Sequence, residues 1–477
     1  MPTPSHPKVI PIVPAVEDGE KVVSLYAAQS KVYPRSVNGI YARWRWAMVF
    51  ATQLFFYLVP WLEWGQRQAL LFDIASRRFY IFGLVLYPQD FIYLTGLLVV
   101  SALSLFLFTA VAGRLWCGYT CPQTVYSEIF MWVERKIEGD RAVRMRLDKA
   151  PQSLEKLVKK AFKHIVWIGI ALWTGFTFVG YFTPIRDLGM SFLQTQMGSW
   201  EVFWVLFYGL ATYGNAGFLR EQVCKYMCPY ARFQSAMFDR DTLVVTYDPV
   251  RGDPRGPRSR KADPAALGLG SCVDCGLCVQ VCPTGIDIRE GLQYECISCA
   301  ACIDVCDGVM DNMGYARGLI RNTTQNGLDG QWSQAKMWRR VLRPRVLVYT
   351  SVLLILCIAL LTSLVMRTPL KVDVIRDRAS LSRIVAGGQL ENVYRLQIMN
   401  ATETEQRYRI SAHGLPGLAM ASEPEFTVGP AESRGVPVRL HIPYGSVGPG
   451  SHPVMIEIDA VQGGAHVSEK SVFIVPR

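Results

Sequence analysis

Histidine is scarce in this chain, six in 477 residues, and only His164 lies beside a long apolar run. A membrane haem generally takes two axial ligands, often histidines, so composition argues against a haem relay, and His164 reads as an interfacial residue. No glycine-rich fingerprint opens a helix, which leaves no built-in dinucleotide site. Residues 367–477 contain no cysteine and so no disulfide. The stretch Met1–Lys21 is polar and rich in proline. It lacks the short apolar core and small-residue cleavage site of a secretory signal. It reads as a cytoplasmic tail ahead of an uncleaved membrane anchor.

Half of the residues are apolar, and they are bunched rather than spread. A spanning helix needs about 20 mostly apolar residues. Five stretches qualify on this reading: Trp44 to Trp61, Phe91 to Ala112, Ile165 to Phe182, Val202 to Leu219 and Val346 to Met366. The stretch Phe79 to Tyr87 is too short to span and reads as interfacial or re-entrant. Charge sets the orientation. Lys and Arg number ten between Gly113 and Lys160 and seventeen between Arg220 and Arg345, whereas Thr183 to Glu201 holds only Arg186. The positive-inside rule then places the N-terminus and both basic loops in the cytoplasm, with the C-terminal segment outside, in the periplasm of a Gram-negative cell. The net charge of +11 is accounted for by these loops, and no nucleic-acid partner is expected.

The C-terminal segment alternates apolar and polar residues in runs such as Val393–Ile398, Arg407–Ile410, Val436–Ile442 and Val454–Asp459. About seven such strands, separated by Gly and Pro, suggest an immunoglobulin-like sandwich. The fold class expected is a multi-domain membrane protein. It joins an α-helical bundle of about five spanning helices to a cytoplasmic two-cluster ferredoxin-like insert and this C-terminal β-sandwich. The boundaries read as tail 1–42, membrane helices 43–239, ferredoxin-like unit 240–345, last helix 346–366 and β domain 367–477.

Twelve of the 13 cysteines fall in four tight groups, with Cys357 alone in an apolar run. Cys272-x2-Cys275-x2-Cys278-x3-Cys282-Pro283 is followed by Cys296-x2-Cys299-x2-Cys302-x3-Cys306. This is the bacterial two-cluster ferredoxin spacing, in which the fourth cysteine of each run ligates the other cluster. Cys272, Cys275, Cys278 and Cys306 are therefore assigned to one [4Fe-4S] cluster. Cys296, Cys299, Cys302 and Cys282 are assigned to the second. Paired zinc sites would show two Cys-x2-Cys pairs with a longer spacer. Two further groups, Cys117-Gly-Tyr-Thr-Cys121-Pro122 and Cys224-Lys-Tyr-Met-Cys228-Pro229, each follow a membrane helix at its cytoplasmic end, as an internal duplication would. Their four sulfurs could converge across a pseudo-twofold axis. Copper, a third cluster, a redox-active thiol pair and plain packing all remain open for them, and Met227 adds a thioether suited to Cu(I). Glu128, Glu134 and Glu138 read as a solvated helix face.

With those motifs in this order, the chain resembles the cytochrome c oxidase accessory family known as CcoG, FixG or RdxA. The resemblance rests on Trp116–Tyr126 (Trp-Cys-Gly-Tyr-Thr-Cys-Pro-Gln-Thr-Val-Tyr), Cys228–Ser235, Tyr247–Gly256 and Pro369–Arg378, and it covers nearly everything after the N-terminal tail. It implies a role in assembly of the cbb-type oxidase by reduction of Cu(II) to Cu(I), with a copper task for Cys117, Cys121, Cys224 and Cys228. Related membrane ferredoxins that feed periplasmic reductases keep a quinol-linked conduit open, and a non-enzymatic assembly scaffold is the third alternative. The partners so implied are the lipid bilayer, copper ions, oxidase subunits or a copper chaperone, a cytoplasmic electron donor and a second copy of the chain.

Overall fold

The computed structural model describes residues 14–17, 20–23 and 31–476, apart from 265, 331 and 378–381, so much of the expected tail lies outside the described residues. Long helices over Ile40–Leu58, Phe91–Ala112, Leu154–Val179, Ser199–Gly214 and Pro344–Val365 run between the same two ends of the molecule. Among the described residues, four helices can cross a bilayer by length and composition alone: Pro88–Ala112, Leu154–Val179, Ser199–Leu219 and Pro344–Val365. Ile40–Leu58 does not meet that measure, because Arg43 and Arg45 dilute its first turns. It still covers the full height, about 28 Å at 1.5 Å per residue. At one end the Asp304 carboxylate accepts from the Tyr41 and Ala42 amides at 3.2 and 2.8 Å. Near the other, Tyr181 Oη donates to the Phe56 carbonyl at 2.9 Å. Gly39 makes the first junction possible, since a Cβ there would meet the Asp304 carboxyl at 2.1 Å.

Leu154–Val179 packs on Ser199–Gly214 through Gly175, where a Cβ would lie 2.3 Å from the Val205 carbonyl oxygen. Small residues at such crossings are how membrane helices gain close contact where lipid offers no hydrophobic driving force. Phe91–Ala112 pairs with Pro344–Val365, with Tyr93 Oη donating to the Ser363 carbonyl at 3.0 Å.

One end carries the ferredoxin-like unit, closed by antiparallel pairing of Val244–Tyr247 with Ile320–Thr323. The opposite end carries a sandwich of a five-stranded and a four-stranded sheet. The long strands Gln389–Asn400 and Ser433–Pro443 pair side by side in the first sheet, and Gly450–Ala460 with His466–Val475 in the second. Their inward alternate residues, including Leu390, Leu396, Val438, Ile456 and Phe473, form one buried core. Among the described residues, nine strands replace the seven or so expected, because Arg383–Val385 and Ala419–Met420 are too short to leave an alternating signature.

The segment read as interfacial or re-entrant is instead a three-stranded meander, Leu70–Asp73, Arg78–Ile81 and Leu84–Leu86. Its Leu71, Tyr80, Val85 and Tyr87 pack with Met399, Ala401 and Ala431 of the sandwich, a partner that local hydropathy does not reveal. Below it, Asp90 is buried between Arg367 at 3.1 Å and Lys371 at 2.6 Å, and Tyr87 Oη donates to the Asn400 carbonyl at 2.9 Å.

Candidate metal centres

The eight ferredoxin-spaced cysteines face two adjoining cavities. Cys272, Cys275, Cys278 and Cys306 line the first. Cys282, Cys296, Cys299 and Cys302 line the second, with Cys278 on the shared wall. The chain reaches this arrangement by making the same turn twice. Asp274 and Gly276 take φ of 52° and 64°, and Ser298 and Ala300, at the same offsets in the second run, take 54° and 59°. Left-handed backbone costs a residue with a Cβ about 1–2 kcal/mol, so its recurrence marks two loops wound tightly around a centre. Short helices over Leu277–Gln280 and Ala301–Met313 start directly from Gly276 and Ala300. They carry Cys282 and Cys306 away from their own loops toward the opposite cavity.

The remaining walls are largely aliphatic, including Leu277 and Val305 in the first cavity and Val245 and Ile286 in the second. Four soft sulfur donors in an apolar shell fit an iron–sulfur cubane. Burial pushes the Cys278 thiol up to about 11 and those of Cys296 and Cys306 to about 12. Thiolate ligation of a cluster would therefore release these protons. The Ser298 amide donates to Cys296 Sγ at 3.4 Å, a bond that favours the thiolate.

The two Cys-x3-Cys-Pro segments come together. Cys121 and Cys228 occupy the N-cap positions of helices Pro122–Glu138 and Pro229–Met237, and burial raises the Cys121 thiol despite the Gln123 and Thr124 amides that favour its thiolate. Cys117 sits in the short helix Leu115–Tyr119 and Cys224 in the π-helical turn Val223–Met227. Cys224 interacts electrostatically with Cys121, Cys117 and Cys228, and burial with this crowding pushes its thiol up to about 12. Burial and the neighbouring Cys121 likewise take Cys117 to about 11, and its thiol donates to Gln234 Oε1 at 3.4 Å. The four sulfurs do not crowd onto one point: among the described residues, no three His, Cys, Asp or Glu side chains are close enough to grip a lone ion. Met227 is 60 % exposed, unlike the half-buried cysteines around it.

Three residues of this site carry no motif signature. Arg114 is buried, donates to the Ala231 carbonyl, and interacts electrostatically with the sulfurs of Cys117, Cys224, Cys228 and Cys296. Gln234 is fully buried beside Cys117. Gly118 is the contact with the ferredoxin-like unit: a Cβ there would lie 2.6 Å from the Ile297 carbonyl oxygen and 3.0 Å from Cys299 Cα. The one available signal was the asymmetry of the two spacers, since the second motif has Lys225 in that place. Cys117 packs in the same apolar cluster as Ile297, Cys299 and Ala301.

The glutamates read as solvated are buried, which corrects that expectation. Glu134 binds Arg144 at 2.5 Å and Arg220 at 3.0 Å, and Glu138 binds Lys163 at 2.9 Å and Lys160 at 3.0 Å. Glu128 faces Arg45 at 3.5 Å. Burial alone would raise the Glu134 carboxyl, but Arg220, Arg144 and Lys163 outweigh it and hold it below the usual carboxylate range. Arg220 precedes the second cysteine pair and Glu134 follows the first, so this network binds the two halves of the site together. The cationic partners come from other segments, which is why the helix pattern alone suggested solvent.

Comparison with known proteins follows the same division. A family described as a 4Fe-4S dicluster domain matches residues 219–325, and one described as a 4Fe-4S binding domain matches residues 94–139. The immunoglobulin-like C-terminal fold of FixG matches residues 360–476. The nitrogen fixation protein FixG of Rhizobium meliloti is 38% identical over 427 residues, covering 83% of this chain and 82% of FixG. The proteins RdxA and RdxB of Cereibacter sphaeroides are each 39% identical, covering 84% of this chain and 86% and 85% of their own.

Proposed function

Since the chain belongs to the FixG/RdxA family of iron–sulfur electron-transfer proteins, we propose that it is a membrane cupric reductase that supplies Cu(I) for assembly of a cbb-type cytochrome oxidase. Cys272, Cys275, Cys278 and Cys306 hold one [4Fe-4S] cluster, and Cys282, Cys296, Cys299 and Cys302 hold the other. When bound, such clusters supply electrons one at a time, which matches the one-electron step from Cu(II) to Cu(I).

The observation that carries the reading is the seating of Gly118 on Ile297 and Cys299, which puts the first Cys-x3-Cys-Pro loop in contact with the wall of the second ferredoxin cavity. Cys117, Cys121, Cys224 and Cys228 receive the copper substrate by drawing together and releasing their protons. Thiolates favour Cu(I) over Cu(II), so this donor set makes reduction downhill. Arg114 offsets part of the negative charge that four thiolates would build in a buried site. The basic loops around the ferredoxin-like unit support a cytoplasmic position for it at the inner membrane, where it would meet a soluble electron donor. The sandwich then stands in the periplasm, where it meets oxidase subunits or a copper chaperone.

The double variant Cys117→Ala/Cys121→Ala tests the assignment, with purified full-length protein, chemically reduced clusters and Cu(II) as acceptor. The expected outcome is unchanged iron and visible absorbance with Cu(I) formation lost. Cu(I) formation at the unaltered rate with intact clusters removes copper from this site.

A further inference from the structure

We propose that the cavity beside the first half of helix Ile40–Leu58 is a binding site for an anionic phospholipid. Its phosphate would lie among arginines at the ferredoxin-side mouth, and an acyl chain would lie along tryptophans in the bundle. The cavity measures about 1040 Å³, far more than an ion or a few waters require. Arg35, Arg43, Arg45, Arg135 and Lys136 line it, and Glu128 is the one carboxylate on its wall among the described residues. No carboxylate pairs with Arg35, Arg43, Arg135 or Lys136 among the described residues. Arg45 is only 8% exposed, reaches Glu128 no closer than 3.5 Å, and has an Nε without an acceptor. A buried cation left this incompletely paired is costly, and a phosphate oxygen would complete it.

The other half of the ligand is written in the walls. Trp46, Phe50 and Trp132 are shared with a second cavity of about 640 Å³, which continues between the helices past Ile170 and Trp173. From Arg43 to Tyr57 the helix rises about 20 Å, the reach of an extended acyl chain. A cationic mouth opening into an apolar, aromatic slot matches an acidic amphiphile and not a free phosphate or a neutral ring. The mouth also touches Val281 and Pro283, the neighbours of Cys282, so the headgroup would brace the chain that walls the second ferredoxin cavity.

The test uses delipidated full-length protein in a non-ionic detergent, titrated with phosphatidylglycerol or phosphatidylcholine carrying brominated acyl chains. Bromine quenches tryptophan on contact, and the cluster absorbance reports that the fold is intact. Phosphatidylglycerol is expected to quench at the lower mole fraction, and Arg43→Gln/Arg135→Gln/Lys136→Gln is expected to bring it to the phosphatidylcholine level. Arg43→Gln alone, kept in case the triple variant does not fold, is expected to raise the half-quenching fraction about fivefold. Arg146→Gln/Lys149→Gln, outside the cavity, is expected to keep the preference. Equal quenching by the two lipids overturns the proposal. So does a preference that survives the triple substitution, which would assign it to general surface charge. Displacement of the brominated lipid by an uncharged quinone, unaffected by the cavity variants, overturns it in favour of a neutral ligand.

Discussion

The ferredoxin-like unit and the Cys-x3-Cys-Pro site are both built from sulfur, but they are assembled in opposite ways. Between Cys272 and Cys306 the chain makes its own geometry: paired left-handed residues wind each loop and short helices carry the crossing cysteines. The second site has no local geometry of its own. Cys117 meets Gln234 across 117 residues of sequence, and the halves stay together through helix packing and the ion pairs of Glu134. A self-wound site should fail only when its own residues change. A site assembled from distant parts should fail when a remote support changes.

The largest effect is expected from Cys278→Ala, because this sulfur walls both cavities. Iron content of anaerobically purified protein should fall from about eight atoms per chain, the content of two cubanes, to about four or fewer. A variant that keeps all its iron would break the picture of two cavities sharing a wall. Next comes Glu134→Gln, which leaves Arg144 and Arg220 buried without their charge partner. Removing one member of such a network costs about 3–5 kcal/mol. Thermal unfolding in detergent should shift accordingly, and thiol labelling of Cys117 and Cys224 should speed up before that of the ferredoxin cysteines.

Gly118→Val sharpens the comparison, because it touches the seam and neither set of ligands. The added side chain would meet Ile297 and Cys299 backbone, and overpacking of this kind costs about 1–3 kcal/mol. Iron content should hold while Cu(I) formation slows. The smallest effect is expected from Asp148→Asn. Burial raises the Asp148 carboxyl, but hydrogen bonds from Lys160, Tyr33 and Lys31 outweigh it and hold it well below the usual range. Its contribution is therefore full above about pH 4 and fades as pH falls through the depressed value. After allowance for solvent screening, the wild type should exceed the variant by no more than about 1 kcal/mol at pH 7. That margin should shrink steadily in acid unfolding as pH falls below about 4 and be lost only once pH passes the depressed value.

The same contrast explains what could be read from the residues alone. The ferredoxin spacing is a local code, so the partition of eight cysteines between two centres follows from counting, and the same eight line two cavities in the fold. The alternating strands of the sandwich were legible for the same reason, since an apolar face every second residue needs no knowledge of the partner sheet. The duplicated Cys-x3-Cys-Pro could be read, and so could the chance of its convergence, but Arg114, Gln234 and Gly118 could not. Their roles exist only once distant segments pack. Glu134 and Glu138 misled for that reason: their cations arrive from Arg144, Lys163 and Arg220, and nothing in the local helix pattern announces them. The meander over residues 70–86 was lost because its apolar residues are satisfied by Met399 and Ala401, more than 300 positions later.

Asp90, locked between Arg367 and Lys371 where the last membrane helix gives way to the sandwich, removes a hinge from the place where one would be expected. The β domain is therefore a fixed mast and not a tethered float. A protein that docks on it would be indexed in height and azimuth to the helices beneath. The far side of the membrane would then read the partner's placement without either domain having to search for it.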